Sequence, residues 1–529
     1  MQGPLQPPLI ESTVGDHFVK IVAAYGDRPA LISRHQNDIA TFDSLDFRSN
    51  ALARGLQSVG VKKGDRVGVM LGNSMEYVVA TYALFKLGAI LVPLNPSFNA
   101  SQVASALDHL KSSHLIINAE SNLPRKDPRD NIPLLKHLVQ DLSGSGLSSE
   151  LVPSLKKIIL VDNSLGRPDL SDYSSLIPFA DLVSELPADG RSLPDQNLSP
   201  HEIVNIQFTS GTTAMPKAAS LSHRSILNNG SQIGDRMLLT PQDIVCCPPP
   251  LFHCFGSILG LMATVTHGAA IVFPSESFHA RATLQAVQEE NARRSTESRR
   301  SGSSIPAELM KKLHRVLNLT ELTICYGMTK TSPVSCMTTT DDPMDKRIGS
   351  VGRLMPHVEA KVVSPSNHNQ ILPIEAKGEL AVRGYLLMKE YWGDPEKTAE
   401  VMLKDKYGKV WMHTGDEARL DHSWGENIHP LEIENCLYAH PGVVDVSVVG
   451  VPDARYGEVV AAFVVPRDSP SSVSENEIQQ WVRDRLSNHL VPKYVFFLGA
   501  SETFPKTASG KIQKFKLKER AIDLLAGKK

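Results

Sequence analysis

The sequence predicts an α/β protein: a large N-terminal domain of layered mixed and parallel sheets with helices, then a small α+β domain. Three observations carry this. The chain has 529 residues, too many for one ordinary hydrophobic core, so two or more domains are expected. Short apolar runs alternate with helical patterns as far as Asp416, the signature of strands joined by crossover helices. Beyond Asp416 the texture changes to longer β-rich runs, which places the domain boundary between residues 420 and 421.

Taken in order, Val67-Gly68-Val69-Met70-Leu71 reads as a buried strand. Glu76 to Lys86 carries apolar residues at helical spacing, with Asn73 or Ser74 as N-cap. Ala89 to Pro93, Leu115 to Ile117 and Lys157 to Val161 repeat the strand pattern, and Ile203 to Phe208 is a further strand. Ser295 to Ser304 holds no apolar residue and reads as a solvated loop. In the second domain, Val443 to Val451 and Val459 to Val465 are β-rich. Glu477 to Leu486 is amphipathic, and its stripe of Ile478, Trp481, Val482 and Leu486 belongs to a core. No internal repeat is visible.

Composition narrows the function. Hydrophobic content of 41% and charged content of 21% suit a soluble globular enzyme. A net charge of -2 argues against a general nucleic-acid binder. The six cysteines form no CxxC pair, which argues against a zinc site or disulfide scaffold and for a reducing compartment. The N-terminal Met1-Gln2-Gly3-Pro4 lacks an apolar signal core. The most apolar stretch, Ile258 to Phe273, contains His267 and is too short to span a bilayer. The last residues, Gly527-Lys528-Lys529, are not the peroxisomal tripeptide. A cytoplasmic location is the expectation, with a peroxisomal one left open. Nothing speaks to oligomeric state.

The most informative segment is Thr209-Ser210-Gly211-Thr212-Thr213-Ala214-Met215-Pro216-Lys217, directly after the strand Ile203 to Phe208. Backbone N–H groups and short hydroxyls wrap phosphate oxygens, and a lysine adds a mobile positive charge. It is not a Walker loop, because no Gly-Lys-Ser/Thr follows at the required spacing. Taken alone, an exposed Ser/Thr loop accounts for it equally well. Three further motifs follow in order: Tyr326-Gly327-Met328-Thr329, His413-Thr414-Gly415-Asp416, and Pro505-Lys506-Thr507-Ala508-Ser509-Gly510-Lys511.

Together the four motifs resemble those of the adenylate-forming superfamily, which includes acyl-CoA synthetases, luciferases and peptide-synthetase adenylation domains. The resemblance runs from about Phe18 to Lys514 and implies a two-step reaction. A carboxylate attacks the α-phosphate of ATP to give acyl-AMP and pyrophosphate; a thiol, usually of coenzyme A, then displaces AMP. The resemblance implies that Thr209, Ser210, Gly211, Thr212, Thr213 and Lys217 cradle the β- and γ-phosphates. Tyr326 stacks on adenine, Thr329 contacts the α-phosphate, and Asp416 accepts hydrogen bonds from the ribose hydroxyls. Lys511, on a mobile lid, sits between two anions and stabilises the adenylation transition state. His253 lines the acyl pocket and thiol tunnel, a core histidine being the bland alternative. Gly302 belongs to the loop packing adenine against that pocket, and Gly425 to Pro430 opens the lid domain near the coenzyme A entrance. The implied cofactors are ATP, coenzyme A and Mg²⁺, and the implied partner is a small-molecule carboxylic acid.

Four departures stand against this pattern. Lys330 replaces the glutamate that helps hold Mg²⁺, and an ammonium cannot ligate a metal that wants oxygen donors. Ala218 and Ala214 stand where the family has glycine. Only a polar Ser/Arg segment follows the helix Ala282 to Arg293, where the family adds a strand, a helix and a strand. Leu420-Asp421-His422-Ser423-Trp424 joins Asp416 almost directly to Gly425, so the family's hairpin and its hinge are expected to be missing. The function expected is therefore an acyl-CoA ligase. Two alternatives stay open: a degenerate, non-catalytic nucleotide-binding relative, or an adenylating enzyme that loads a carrier-protein thiol.

Overall fold

The structure, a computed structural model, describes residues 1–124, 126–144, 146–167, 169–184, 193, 196–209, 217–290, 294–295, 323–420, 425–427, 431–453, 457–467, 473–486, 490–499, 502–506 and 512–526. Its largest sheet has seven strands in the order Ala218–Ser222, Ile203–Phe208, Ile90–Pro93, Arg66–Met70, His114–Asn118, Lys157–Val161 and Leu176–Pro178. All neighbours are parallel except the first pair. Every residue of His114–Asn118 is buried, as expected of a parallel strand covered on both faces.

Helix Met75–Leu87 connects two of these strands. Of the two expected caps, Ser74 accepts the Tyr77 amide, and Gly88 closes the far end in a left-handed conformation. Asn73 does other work: its side chain donates to the Pro249 carbonyl (2.9 Å) and accepts from the Leu251 amide (2.8 Å), tying this sheet to the next.

A five-stranded sheet packs against the first, in the order Arg294–Ser295, Ile244–Cys246, Ala270–Phe273, Pro29–Ser33 and Asp38–Thr41. Arg294–Ser295 corrects the expectation of a structureless polar connection at Ser295, because these two residues form a short parallel edge strand beside Ile244–Cys246. Residues 296–304 of that predicted loop lie outside the described residues.

A small antiparallel sheet of Cys325–Gly327, Val334–Met337 and Arg353–Leu354 follows. Then comes a sheet in the order Asn367–Ile371, Val358–Ser364, Gly378–Gly384, Val410–Leu420 and Met402–Lys404. Gly425–Asn427 pairs with Val410–Leu420, Leu420 opposite Gly425. This pairing stands where the family's longer hairpin with its hinge is expected to be missing. A short one forms, because both backbone edges still reach each other across residues 421–424, which lie outside the described residues. One buried cluster runs through these sheets, from Val14 to Ala418.

The last sheet, Val443–Asp453, Gly457–Pro466 and Tyr494–Phe497, is covered by helices Leu431–Tyr438, Glu475–Arg483 and Lys514–Ala526. It has its own two buried clusters, and the predicted stripe residues Ile478 and Val482 are fully buried in one of them. Among the described residues, no helix is long and apolar enough to cross a membrane.

Candidate active site

Strand Ile203–Phe208 turns back antiparallel into Ala218–Ser222, pairing Phe208 with Ala218. Beyond that pair the Thr209 amide donates to the Lys217 carbonyl (2.8 Å), with the Thr209 hydroxyl 3.3 Å from the same oxygen. The hydroxyl-rich loop thus springs from a closed neck. Its Ser210, Gly211, Thr212 and Thr213 lie outside the described residues. The Lys217 ammonium sits 5.3 Å from the centre of the Tyr391 ring, a cation–π contact. Tyr391 belongs to a segment that covers the outer edge of Ala218–Ser222, with the Trp392 amide on the Ala218 carbonyl and the Ser220 amide on the Glu390 carbonyl.

Tyr326 sits on strand Cys325–Gly327, opposite Cys336. A Cβ on Gly327 would lie 1.8 Å from the Pro333 carbonyl oxygen, so only glycine lets the turn close. The turn is tied by the Met328 amide on the Pro333 carbonyl (2.9 Å) and the Thr331 amide on the Met328 carbonyl (2.8 Å). Helix His223–Arg236 carries the whole element. The Asn229 amide group donates to the Val334 carbonyl (2.8 Å) and accepts from the Val334 N–H (2.9 Å), replacing a sheet neighbour. Arg236 adds bonds to the carbonyls of Met337 and Leu354.

Thr329 lies in this turn, its hydroxyl 3.7 Å from the Cys254 thiol. Burial pushes that thiol up to about 11, so it stays protonated. Cys254 brings the neighbouring His253 to the same place. The half-buried His253 ring accepts the Phe255 amide at Nδ1 (3.2 Å), which leaves the proton of a neutral ring on Nε2. Phe255–Met262 then runs as a wide helix with i→i+5 bonding, a form that gathers at functional sites.

Asp416 is aimed by a β-bulge. Glu379 pairs with Glu417 and Ala381 with His413, so three residues face Leu380 alone. The Thr414 hydroxyl donates to the Leu380 carbonyl (2.8 Å) and Gly415 takes φ +76°, a left-handed conformation suited to glycine. The carboxylate then accepts the Tyr326 phenol at 2.6 Å. Burial, then the Asp416 charge, raises the Tyr326 hydroxyl well above its usual range and keeps it a donor. Glu379 supports the bulge from beneath, accepting the Gly415 amide (3.0 Å) and facing His413 Nδ1 (3.0 Å).

Lys330 is half-buried and presents a cation where the resemblance implies a metal ligand. Burial lowers its ammonium, Asp416 raises it, Lys217 lowers it and Glu379 raises it again. The position does not suit Mg²⁺: it offers positive charge and no lone pair to a hard cation.

Six predicted site residues are thus placed: Thr209 with Lys217, Thr329 with His253, and Tyr326 with Asp416. Gly302 and Lys511 lie outside the described residues, although Lys506 and Ile512, flanking the predicted Lys511 loop, pair with each other. Sequence reasoning missed Asn229 and Glu379. Asn228-Asn229 in the middle of a buried helix was a usable signal, since unpaired amides are rarely buried. Glu379 gave none, because its partners come from distant strands.

A profile described as "AMP-binding enzyme" matches residues 18–296 and 294–392, and "AMP-binding enzyme C-terminal domain" matches 432–511. The acyl-CoA ligase SID4 of Ajellomyces capsulatus is 36% identical over 98% of this chain and 93% of its own length. The mitochondrial medium-chain acyl-CoA ligase ACSF2 of Bos taurus is 33% identical over 98% of this chain and 89% of its own. The anthranilate CoA ligase AuaEII, solved with anthranoyl-AMP, superposes with a TM-score of 0.83 at 21% identity, covering 98% of this chain and 99% of that one. With the family models matching most of its length and near full-length similarity to curated ligases, the chain belongs to the AMP-binding enzyme family, in its acyl-CoA ligase branch.

Proposed function

We propose that this protein activates a medium-chain or aromatic carboxylic acid with ATP and transfers the acyl group to coenzyme A. The observation that supports this is the Tyr326–Asp416 hydrogen bond, which brings the predicted adenine and ribose residues together in the same turn region as Thr329. In the first step a carboxylate oxygen bonds to the α-phosphorus as its bond to the pyrophosphate oxygen breaks. Lys217 and the hydroxyl-rich loop take the charge of the leaving pyrophosphate, and Lys511 offsets the repulsion between the two anions. In the second step the thiol sulfur bonds to the acyl carbon, the acyl–phosphate bond breaks, AMP leaves and the thiol proton passes to solvent. Mg²⁺ enters no step here, because Lys330 gives it no ligand. A division into residues 1–420 and 421–529 goes with this reading, the second part acting as the lid.

A second reading is a relative shortened inside the chain, with catalysis weakened or lost. The alignments to SID4 and ACSF2 run 562 and 574 positions, longer than this chain of 529 residues. The family match also divides at residues 294–296, where the strand-helix-strand segment is expected. Both support a shortened acyl-pocket wall. They also suit a mis-assembled form of a longer enzyme, which the sequence of the transcript would reveal. Loading of a carrier-protein thiol instead of coenzyme A is the remaining alternative.

Pyrophosphate release from Mg²⁺-ATP with a panel of carboxylic acids decides between them. Acid-dependent release from folded protein, abolished in Lys511→Ala, supports the ligase. A folded protein that binds ATP without releasing pyrophosphate supports the shortened relative.

A further inference from the structure

Beneath the bulge that aims Asp416, three side chains from three strands converge. His368 comes from Asn367–Ile371, Glu379 from Gly378–Gly384 and His413 from Val410–Leu420. His368 Nε2 lies 3.3 Å and His413 Nδ1 3.0 Å from the same Glu379 oxygen, Oε2. All three donor atoms lie within 4.8 Å of one another. The imidazole rings face each other at 4.5 Å between centres. The second Glu379 oxygen is already held by the Gly415 amide, which fixes the carboxylate and leaves Oε2 free to turn to the histidines.

We propose that His368, Glu379 and His413 form a binding site for a borderline divalent ion of the Zn²⁺ class, separate from the nucleotide's phosphates. A tetrahedral ion with bonds of about 2.0–2.2 Å sets its ligand atoms roughly 3.4 Å apart, close to the two spacings found. Two imidazoles and one carboxylate suit Zn²⁺ and its first-row neighbours; Mg²⁺ and Ca²⁺ prefer all-oxygen shells. The site is graded from inside to outside, His413 being 5% exposed, Glu379 14% and His368 42%. The buried pair is thereby fixed while His368 leaves a path for the ion and an open fourth position for water. Binding would cross-link three strands of one sheet just behind Asp416. The inference does not depend on the ligase reading.

The test uses the full chain, stripped with a chelator and titrated by calorimetry with Zn²⁺ alone, then with Co²⁺ followed by visible absorption. Wild type is expected to take one equivalent with a cobalt ligand-field band and no thiolate charge-transfer band. His368→Ala, on an exposed strand, is expected to fold normally and to weaken binding by more than about a hundredfold, beyond the loss typical of an outer-shell partner. Equal binding by wild type and His368→Ala, meaning an adventitious ion only, overturns the proposal. So does a thiolate band, or the absence of binding to wild type.

Discussion

The Tyr326 phenol donates to the Asp416 carboxylate at 2.6 Å, linking two motifs 90 residues apart in the chain. The contact places the predicted adenine platform against the predicted ribose clamp before any nucleotide arrives. It also divides the two roles by experiment. Tyr326→Phe keeps the ring and is expected to weaken AMP binding by less than about tenfold. Asp416→Ala removes a charged acceptor and is expected to weaken it by about ten- to a hundredfold, since each hydrogen bond to a charged group contributes about 1.5–3 kcal/mol. Calorimetric titration with AMP reads both; equal losses would mean that Asp416 does not hold the ribose.

Lys330 predicts an unusual metal response. Wild-type ATP affinity is expected to change by less than about threefold between EDTA and saturating Mg²⁺, because Lys330 puts a protein cation at the predicted phosphate site. Lys330→Glu restores an oxygen ligand and should make ATP binding strongly dependent on Mg²⁺. Titration of both proteins with and without EDTA gives the answer, and identical Mg²⁺ dependence in the two would remove Lys330 from the phosphate site. Normal thioester formation by Lys330→Glu alone would further show that the hinge expected to be missing is dispensable.

Asn229→Ala strips the buried Val334 of partners for both its N–H and its C=O. Each orphaned group costs about 1–3 kcal/mol, so a loss of about 2–6 kcal/mol in urea unfolding is expected. ATP binding should fall with it, since the Tyr326 turn hangs from this residue. An unchanged unfolding midpoint would argue that the turn is held elsewhere.

Acid should destabilise the protein through its buried histidines. Burial in the core pushes His223 down to about 3, and burial shifts His114 and the half-buried His17 the same way. Between the unfolded value near 6.5 and pH 3 the unfolded chain binds the extra protons, so stability falls as pH falls. His223 alone contributes a slope of up to about 1.4 kcal/mol per pH unit over that window. In His223→Gln the acid limb of a stability-against-pH curve should flatten by that amount. A curve parallel to wild type would mean that His223 titrates normally in the fold.

Local chemistry made part of this architecture readable in the sequence. The Ile203–Phe208 strand and the Ser74-capped helix follow from apolar runs and capping residues that act within a few positions. The four motifs were readable for the same reason. What stayed hidden depends on contacts across the chain. The bulge at Asp416 exists because Leu380 faces three residues, and nothing around Thr414 encodes that. The short hairpin from Leu420 to Gly425 forms by backbone pairing, to which side-chain pattern gives little clue. The convergence of His368, Glu379 and His413 needs three strands to be assembled into one sheet first.

The thiols around the turn have a practical consequence. Cys254 touches Thr329, Cys325 precedes Tyr326, and Cys336 pairs with it across the sheet. Burial holds all three as neutral thiols, pushing Cys325 and Cys336 up to about 12. Alkylating reagents react with thiolates, so these positions should label slowly in the closed turn and quickly once it opens. The protein therefore carries its own built-in reporters: mass spectrometry of the native chain would time the opening of the Tyr326 turn without an engineered probe.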